Sequence, residues 1–471
     1  MKNKKNYLAE VSDIPMMEYN NIFTGNLIWI ERGLSNDIAT YDLVVREIPQ
    51  KWNFYVMDGV ERFIDILLNY GFDDEAVKTL KEMGFISGKD SEEFYRNFKF
   101  TGDAWTMRDG TVFFPGEPIL RITAPLLEAN LLTAFVLNVF SYPVRIMTKN
   151  VRLKMVTEGR AMFISGAMVR LPGFEQGYYS AKDAHILGSS PTSPFIYRKH
   201  KEQKPKTSKL TINFNHAVIK SFSTERDAFT YIFDNLAERV NICSVMVDTY
   251  DLEKGLEIFI EEFKKRKNID PKKFFVTVDS GDIAEESLRV RKVLDENGLS
   301  DIGINAMSNL TEESIDNFLN DGIPIDIPIT ATEQVNVTDN PRLEAVYKMA
   351  ELTHEDGSVE MKAKLTKKKE SYPGRKQVFR VYKDGKMIKD IVGFEDENLG
   401  TPLLEKFIGK GKQIIPTPSL DDVRNHLDKQ LSKLPDKLKN VHKSVGYSVQ
   451  PSEKLKKAFE HIKKHMASDD I

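Results

Sequence analysis

The middle of the chain alternates short apolar runs with stretches at helical spacing. Apolar runs at Ser244–Val247, Phe274–Val278 and Ile302–Met307 each lead into small polar or acidic residues, and helical spacing follows soon after the first two runs. The clusters at Asp248 and Asp279 are 31 residues apart, close to the length of one strand, helix and return loop. This pattern predicts repeated βα units and therefore a parallel sheet or barrel.

The flanking segments follow other patterns. Apolar residues at helical spacing within residues 53–70 predict a helix, and Asp109–Arg121, with its prolines near the strand edges, predicts a β-hairpin. The apolar stretch Leu126–Val139 predicts one long helix. Residues from about 360 onward are rich in lysine, yet their leucines and valines predict a folded appendage. We therefore expect an amino-terminal α+β domain at 1–145, an α/β barrel domain at 146–360, and a lysine-rich loop with a carboxy-terminal domain at 361–471.

Composition narrows the class of protein. The 471 residues are 41% hydrophobic, which predicts a substantial core divided over two or three domains. A net charge of -3 with 29% charged residues argues against nucleic acid or an anionic membrane as the main partner. Polar residues interrupt the basic amino terminus before a signal-peptide core develops, and no run approaches a membrane span. Cys243 is the single cysteine, which excludes an intramolecular disulfide and favours the reducing cytoplasm.

Candidate catalytic residues lie where the predicted strands end. In parallel α/β folds, polar residues at the carboxyl ends of strands line the functional face. His216 follows the strand-like run 210–215, beside Asn213, and a neutral imidazole there could act as a nucleophile or general base. The alternative is a structural histidine that only completes hydrogen bonds.

The segment Asp279–Asp282 carries two carboxylates around a glycine. Gly281 permits close approach of the backbone to a ligand, and the carboxylates could hold Mg²⁺ or the hydroxyls of a sugar. A helix cap would explain Ser280 or Asp282, because a helical pattern begins near Ile283, but it does not explain two aspartates around a glycine. The segment Asp248–Asp251 has the same two interpretations.

A basic loop at Lys364–Lys376 places six cationic side chains around a Pro-Gly turn. Such a loop could clamp phosphate or pyrophosphate, although runs of charge are commonly only solvated surface. No Walker glycine loop is present, which argues against an ordinary P-loop nucleotide enzyme.

Several ordered motifs together make the chain resemble the nicotinate phosphoribosyltransferase family over nearly its whole length. The segments that carry the resemblance are Asp109–Arg121, Thr148–Arg152, Thr192–Ser193, His216, Ser221–Phe222, Ala228–Phe229, Val247–Asp251, Asp279–Asp282, Ser308, Val346–Lys348, Lys369–Lys376, Leu431–Pro435, Tyr447–Val449 and Ser452.

The resemblance implies a type II phosphoribosyltransferase-like fold, in which an amino-terminal α+β domain and a small carboxy-terminal domain flank an irregular α/β barrel. It also implies a homodimer with composite active sites and no nucleic-acid or membrane partner. The implied reaction joins nicotinate to phosphoribosyl pyrophosphate, giving nicotinate mononucleotide and pyrophosphate for NAD synthesis. ATP is a co-substrate and Mg²⁺ the cofactor.

Residue roles follow from the same resemblance. His216 resembles the histidine that ATP phosphorylates, and Asp279 resembles the aspartate that faces the ribose and the metal. Thr330 corresponds to a hydroxyl of the loop that binds the 5′-phosphate, and Arg170 to an arginine for the nicotinate carboxylate. The remaining expected substrate contacts are Asn213, Asp248, Ser280, Asp282, Ser308, Thr148, Lys149, Arg152, Lys369 and Lys376.

The chain also departs from the family pattern. Thr277 stands where the family has an arginine two residues before the aspartate, and Ile327–Ile329 replaces the Gly-Val-Gly of the phosphate loop. The segment Phe23–Trp29 lacks the tyrosine that stacks on the pyridine ring. Two alternatives therefore stand beside a nicotinate enzyme: a transferase that prefers nicotinamide, and a non-catalytic relative that binds or assembles. Aldolase chemistry through a Schiff base is disfavoured, because no lysine lies at these predicted strand ends.

Overall fold

The computed structural model describes residues 11–161, 164–165, 170–171, 173–188 and 210–468. The chain divides into two compact units. The first unit joins Met1–Thr148 with Arg342–Ile471, and the second is Lys149–Pro341. The division into three domains at 145 and 360 stays a prediction. No helix in the described residues has the length and apolar character needed to cross a membrane.

The amino-terminal part of the first unit opens with a 3-10 helix at Val11–Met17. Its further elements are α1 (Asn20–Glu31), β1 (Ile38–Val45), β2 (Tyr55–Val56), α2 (Val60–Asn69), α3 (Asp74–Glu82), α4 (Gly88–Arg96), β3 (Asp103–Thr106), β4 (Val112–Phe113), β5 (Pro118–Pro125), α5 (Leu126–Leu131), α6 (Thr133–Val139) and α7 (Ser141–Thr157).

The second unit begins within α7 and alternates strands with helices. Its described elements are β6 (Ile164–Ser165), α8 (Phe174–Ile186), β7 (Leu210–Phe214), α9 (His216–Ile219), α10 (Glu225–Asn235), β8 (Val240–Met246), α11 (Leu252–Lys264), β9 (Phe274–Val278), α12 (Ile283–Glu296), β10 (Gly303–Met307), α13 (Glu312–Asn320), β11 (Ile327–Thr330) and α14 (Thr332–Val335).

The chain then returns to the first unit. The elements there are β12 (Ala345–Thr353), β13 (Val359–Met361), β14 (Lys376–Lys383), β15 (Lys386–Phe394), β16 (Thr401–Pro402), β17 (Glu405–Gly409), β18 (Lys412–Gln413), α15 (Leu420–Lys433), β19 (Val449–Pro451) and α16 (Glu453–Ser468). Short 3-10 helices lie at Pro271–Lys273 in the second unit and at Asp436–Lys439 in the first.

The described part of the first unit contains an antiparallel sheet in the order β13-β12-β1-β5-β3-β17-β18. A smaller sheet, β16-β14-β15-β19, is formed entirely by the carboxy-terminal segment. Strands β12, β13, β17 and β18 therefore complete a sheet whose other strands lie before residue 126. The helix predicted within residues 53–70 is confirmed as α2, whose apolar residues are buried.

Two predictions for this unit are wrong. The hairpin expected at Asp109–Arg121 does not form, since β4 pairs with β2, where Phe113 stacks on Tyr55, whereas β5 pairs with β1 and β3. The long helix expected at Leu126–Val139 breaks into α5 and α6 at Leu132. The amino terminus of α6 is satisfied by a side chain: Glu18 accepts a hydrogen bond from the backbone N–H of Ala134 at 2.5 Å.

The described strands of the second unit form a parallel sheet in the order β6-β11-β10-β9-β8-β7. One face is covered by helices, where the ring of Phe274 contacts those of Phe233 and Phe263. On the opposite face, Asn305 of β10 donates to Ser244 of β8 across the intervening β9, at 2.5 Å. The sheet is therefore curled, and the predicted irregular α/β barrel is confirmed as an open half-barrel. We call this inner surface the site face.

Helix α11 lies unusually close to the end of β8. A Cβ atom at Gly255 would be 1.8 Å from the carbonyl oxygen of Val247, the residue before Asp248. Glycine in a helix costs about 1 kcal/mol relative to alanine, so the close approach gives a physical reason for it here.

We expect Gly255→Ala to push α11 away from the strand and to destabilise the protein by about 1–3 kcal/mol, since overpacking costs that much. Urea unfolding of this variant measures the change. Gly71→Ala is the control, because the Cβ atom there meets only the oxygen of Phe98, at 3.6 Å. Equal stability of the two variants would contradict the packing argument.

Candidate active site

His216 lies at the carboxyl end of β7, as the first residue of α9. Asn215 caps this short helix by accepting a hydrogen bond from the backbone N–H of Val218 at 3.1 Å, which fixes the backbone on both sides of the histidine. The imidazole is about one-third exposed and its Nδ1 lies 3.2 Å from the hydroxyl of Thr249. The ring is thus oriented by a neighbour yet open to a reactant.

Two aspartates from the next strands face the other ring nitrogen. Nε2 of His216 lies 3.7 Å from Oδ2 of Asp279 and 4.0 Å from Oδ1 of Asp248. The hydroxyl of Ser280 donates to Asp248 at 2.8 Å, which holds that carboxylate in place. The structure therefore brings together four of the residues expected from the strand ends: His216, Asp248, Asp279 and Ser280.

This cluster has donors suited to a divalent cation. One ligand atom each from His216, Asp248 and Asp279 lie within 4.8 Å of one another. Oδ1 of Asp248 is buried without a hydrogen-bond partner among the described residues, as expected of an oxygen that completes its bonding with a ligand. Carboxylate oxygens are the ligands that Mg²⁺ prefers.

Burial raises the pKa of Asp279, and the adjacent Asp248 raises it further, whereas His216 opposes the shift. Two carboxylates this close repel each other when both are ionised. A cation or a cationic ligand between them would relieve that repulsion, which is a second reason to expect one here.

Glu225 is close enough to this cluster to interact with its charges, and the sequence did not indicate it. Its side chain is buried, and one carboxylate oxygen has no hydrogen-bond partner in the described structure. Burial is the main cause of its raised pKa. The charges of Asp248 and Asp251 raise the pKa further, whereas His216 lowers it. Glu225 is the first residue of α10, and acidic residues are common at helix amino termini because they interact favourably with the helix dipole. Its position alone therefore gave no signal of function.

Other predicted residues lie near the strand ends without joining the cluster. Asn213 is exposed at the end of β7 and Ser308 follows β10 directly. Asp282 caps α12, accepting from the backbone N–H groups of Ala284 and Glu285 at 2.9 and 3.1 Å. Its carboxylate therefore has the capping role that the sequence left open, as does that of Asp251 for α11.

Further predicted contacts of the second unit are engaged with protein partners. Lys149 lies 2.6 Å from Glu312, and Arg152 lies 2.8 Å from the same carboxylate, with all three side chains buried. Thr330 is on the helix-covered face and donates to Gln334 at 2.5 Å. Arg170 is exposed, and Thr192–Ser193 lies outside the described residues. Binding roles for these residues stay predictions.

The predicted residues of the first unit divide similarly. Thr148 is buried, donates to the carbonyl of Val144 at 2.6 Å and accepts from the backbone N–H of Val56 at 2.8 Å. Lys376 is buried against Asp42 at 2.6 Å, whereas Lys369 is exposed. Of these two predicted contacts in the basic loop, Lys376 is therefore a structural cation and Lys369 faces solvent.

A different cationic cluster occurs in the first unit, formed by Arg46, Lys348 and Lys364. The backbone N–H of Lys362 donates to Ala350 at 2.8 Å, so the chain runs antiparallel to β12 and brings Lys364 beside Lys348. Desolvation, Lys364 and Arg46 lower the pKa of Lys348, and Nε of Arg46 is buried without a partner in the described structure. Like charges facing each other across strands are unfavourable unless an anion binds between them.

Comparison with known proteins places these features in a class. The fold resembles that of human nicotinic acid phosphoribosyltransferase with a TM-score of 0.76, 19% identity and coverage of 97% of this chain and 100% of that one. A nicotinate-nucleotide pyrophosphorylase from Pyrococcus furiosus gives a TM-score of 0.70 at 20% identity, over 91% of this chain and 98% of that one. The fold is therefore that of a type II phosphoribosyltransferase.

Sequence comparison is more specific. The models for the amino- and carboxy-terminal domains of nicotinate phosphoribosyltransferase match residues 23–141 and 400–459. Nicotinate phosphoribosyltransferase pncB2 of Mycobacterium tuberculosis is 31% identical, over 89% of this chain and 87% of its own length. The Bacillus subtilis nicotinate phosphoribosyltransferase is 30% identical, over 89% of each chain. The chain belongs to the nicotinate phosphoribosyltransferase family, as the motifs predicted.

Proposed function

We propose that this protein transfers the phosphoribosyl group of phosphoribosyl pyrophosphate to nicotinate and couples the transfer to ATP hydrolysis. The product, nicotinate mononucleotide, would feed NAD synthesis. The observation that carries the proposal is the meeting of His216, Asp248 and Asp279 at the strand ends of the site face. Family membership gives this cluster its reaction class.

His216 is the acceptor of the γ-phosphoryl group of ATP in this proposal. A nitrogen of the neutral imidazole attacks phosphorus, the bond to the β,γ-bridging oxygen breaks, and ADP leaves with that electron pair. Water later attacks the phosphohistidine and releases phosphate. The bond to Thr249 orients the ring, which supports a role as a positioned nucleophile.

Asp248 and Asp279 would hold Mg²⁺. The bound ion supplies positive charge that neutralises the phosphate oxygens of the substrates. Asp279 has a further task in the transfer step, in which the bond from ribose C1 to the pyrophosphate oxygen breaks and a bond from C1 to the pyridine nitrogen forms. Its carboxylate stabilises the cationic character that develops on the ribose as pyrophosphate leaves with the electron pair.

The cluster of Arg46, Lys348 and Lys364 supports a polyanionic substrate or product. None of these three cations has an acidic partner at ion-pair distance in the described structure. They would therefore suit pyrophosphate, because they would neutralise its negative charge. The exposed Lys369 of the basic loop is a further candidate for the same ligand.

Product formation tests the proposal. Purified protein is incubated with nicotinate, phosphoribosyl pyrophosphate and Mg²⁺, with and without ATP, and nicotinate mononucleotide and pyrophosphate are quantified by chromatography. We expect both products in equal amounts, with a higher rate in the presence of ATP. Absence of mononucleotide with any pyridine base would favour a non-catalytic relative that only binds.

The raised pKa of Asp279 predicts a pH effect. The ionised carboxylate is the active form, so activity falls as pH drops through its raised pKa. Asp248→Asn removes a neighbouring negative charge, which lowers the pKa of Asp279 and moves the acidic limb of the profile of kcat/KM to lower pH. The profile is measured on the activity that Asp248→Asn retains. If its acidic limb does not move, the limb reports the ionisation of a group other than Asp279.

Two further features complete the proposal. The homodimer implied by the family is checked by sedimentation of the purified protein. A cytoplasmic location is supported by Cys243, which is a buried free thiol and needs no oxidising compartment.

A further inference from the structure

The last helix, α16, is packed along its first half only. Leu455 and Phe459 are buried, and the ring of Phe459 lies 5.3 Å from that of Tyr372, so this half is anchored on the first unit. Over residues 460–466, no side chain is buried. Packing of an apolar face supplies most of the stability of a helix in a protein. The second half of α16 therefore depends on interactions within the helix itself.

Two histidines lie next to each other on this exposed half. His461 and His465 are four residues apart, the spacing that places two side chains on the same face of a helix. Both are exposed, and their ring centroids are 4.2 Å apart at an interplanar angle of 71°. The two imidazoles are therefore neighbours before any ligand binds.

This geometry suits one metal ion shared by the two rings. A metal bonds to an imidazole nitrogen at about 2.0–2.1 Å, which allows one ion to bridge rings at this separation. Both side chains border solvent, so each ring can turn one nitrogen towards the ion without disturbing a packed core. Two histidines at i and i+4 on one face of a helix also hold the metal in helical zinc motifs.

The chemistry of the pair restricts the ion to a transition metal. Imidazole nitrogen suits Zn²⁺, Ni²⁺ and Cu²⁺, whereas Mg²⁺ prefers oxygen ligands. Lys457 and Lys464 lie on the same face of the helix, and their positive charges oppose a cation held by electrostatic attraction alone. Bonds to nitrogen must therefore supply the binding energy, so reactions run with Mg²⁺ alone do not involve the pair.

We propose that His461 and His465 bind a divalent transition metal such as Zn²⁺, and that the bound ion stabilises the second half of α16. The ion can bridge the rings only while the turn between them is helical, so binding favours the helix by linkage. At free Zn²⁺ ten times the dissociation constant, linkage predicts that the open form of this turn becomes roughly ten-fold rarer. The inference does not depend on the proposed function.

Hydrogen exchange read by mass spectrometry tests the site in the full, untagged chain. Protein freed of metal by EDTA and dialysis is compared alone, with Zn²⁺ and with Mg²⁺. Zn²⁺ should slow exchange in peptides from residues 460–468 roughly ten-fold and leave peptides from residues 453–459 unchanged. Mg²⁺ should change neither. Because the readout is local to α16, Zn²⁺ bound elsewhere in the chain does not contribute to it.

His465→Ala should abolish the effect of Zn²⁺, because a single imidazole cannot bridge the turn. A matched control combines His465→Ala with Met466→His, which restores the number of histidines but places the second ring five residues from His461, on another face of the helix. This control should behave as His465→Ala does. The proposal is overturned if Zn²⁺ does not slow exchange in the wild-type protein, or if it slows exchange equally in either variant.

Equilibrium dialysis against Zn²⁺ gives a second readout. The wild-type chain should retain about one Zn²⁺ more than His465→Ala does, since the comparison cancels ions bound at sites that the two proteins share. Equal retention by the two proteins would show that the pair does not hold the ion. A wild-type excess with no change in exchange would leave the metal site standing and contradict its effect on the helix.

Discussion

His216→Ala is expected to abolish the stimulation of mononucleotide synthesis by ATP while leaving a slow, ATP-independent transfer. The side chain that receives the phosphoryl group is removed, but Asp248 and Asp279 remain to serve the ribose and the metal. Steady-state rates with and without ATP, at saturating nicotinate and phosphoribosyl pyrophosphate, measure the effect. Their ratio should fall to one.

The control for this variant is His461→Ala, which removes an exposed histidine on α16 of the first unit. It should retain the full ATP response. If His216→Ala still responds to ATP as the wild-type protein does, the phosphoryl group is accepted elsewhere and the assignment of His216 is wrong.

Asp279→Asn is expected to lower kcat by about 10²–10³, the usual cost of removing one group that stabilises charge in a transition state. The loss should appear both with and without ATP, because this carboxylate acts on the ribose rather than on His216 alone. Asparagine has nearly the same shape, so the change isolates the charge. The measurement is kcat for mononucleotide formation at saturating Mg²⁺.

Asp270→Asn is the control at the opposite end of the same strand. Asp270 is exposed and caps the 3-10 helix before β9, a role that asparagine also fills well. Its kcat should match that of the wild-type protein. A loss in Asp279→Asn no larger than that of this control would remove Asp279 from the transfer step.

The fold of the second unit followed from local pattern. Apolar runs of strand length, each followed by a helical pattern, identify βα units, and β9 has the predicted bounds Phe274–Val278. The meeting of His216, Asp248 and Asp279 then follows from the common edge shared by parallel strands. The first unit was harder, because β4 and β5 are adjacent in sequence yet pair with strands of different sheets.

Partners distant in sequence explain what was missed at the sites. Lys149 and Arg152 belong to the family motif Thr148–Arg152, which predicts substrate contacts, and only the fold shows that both pair with Glu312. Arg46 and Lys364 belong to segments more than 300 residues apart, and β12 brings them together. Thr249 follows Asp248 directly, and its bond to His216 depends on how β7 and β8 end relative to each other.

Transfer of phosphate from ATP to His216, followed by its discharge during turnover, is the most direct test of the account. Protein incubated with γ-labelled ATP and Mg²⁺ is digested, and the labelled peptide is identified by mass spectrometry under conditions that preserve acid-labile phosphate. We predict label on His216 that disappears when nicotinate and phosphoribosyl pyrophosphate are added, with mononucleotide formed in parallel. Turnover without label at His216, or label that persists through turnover, would contradict the account.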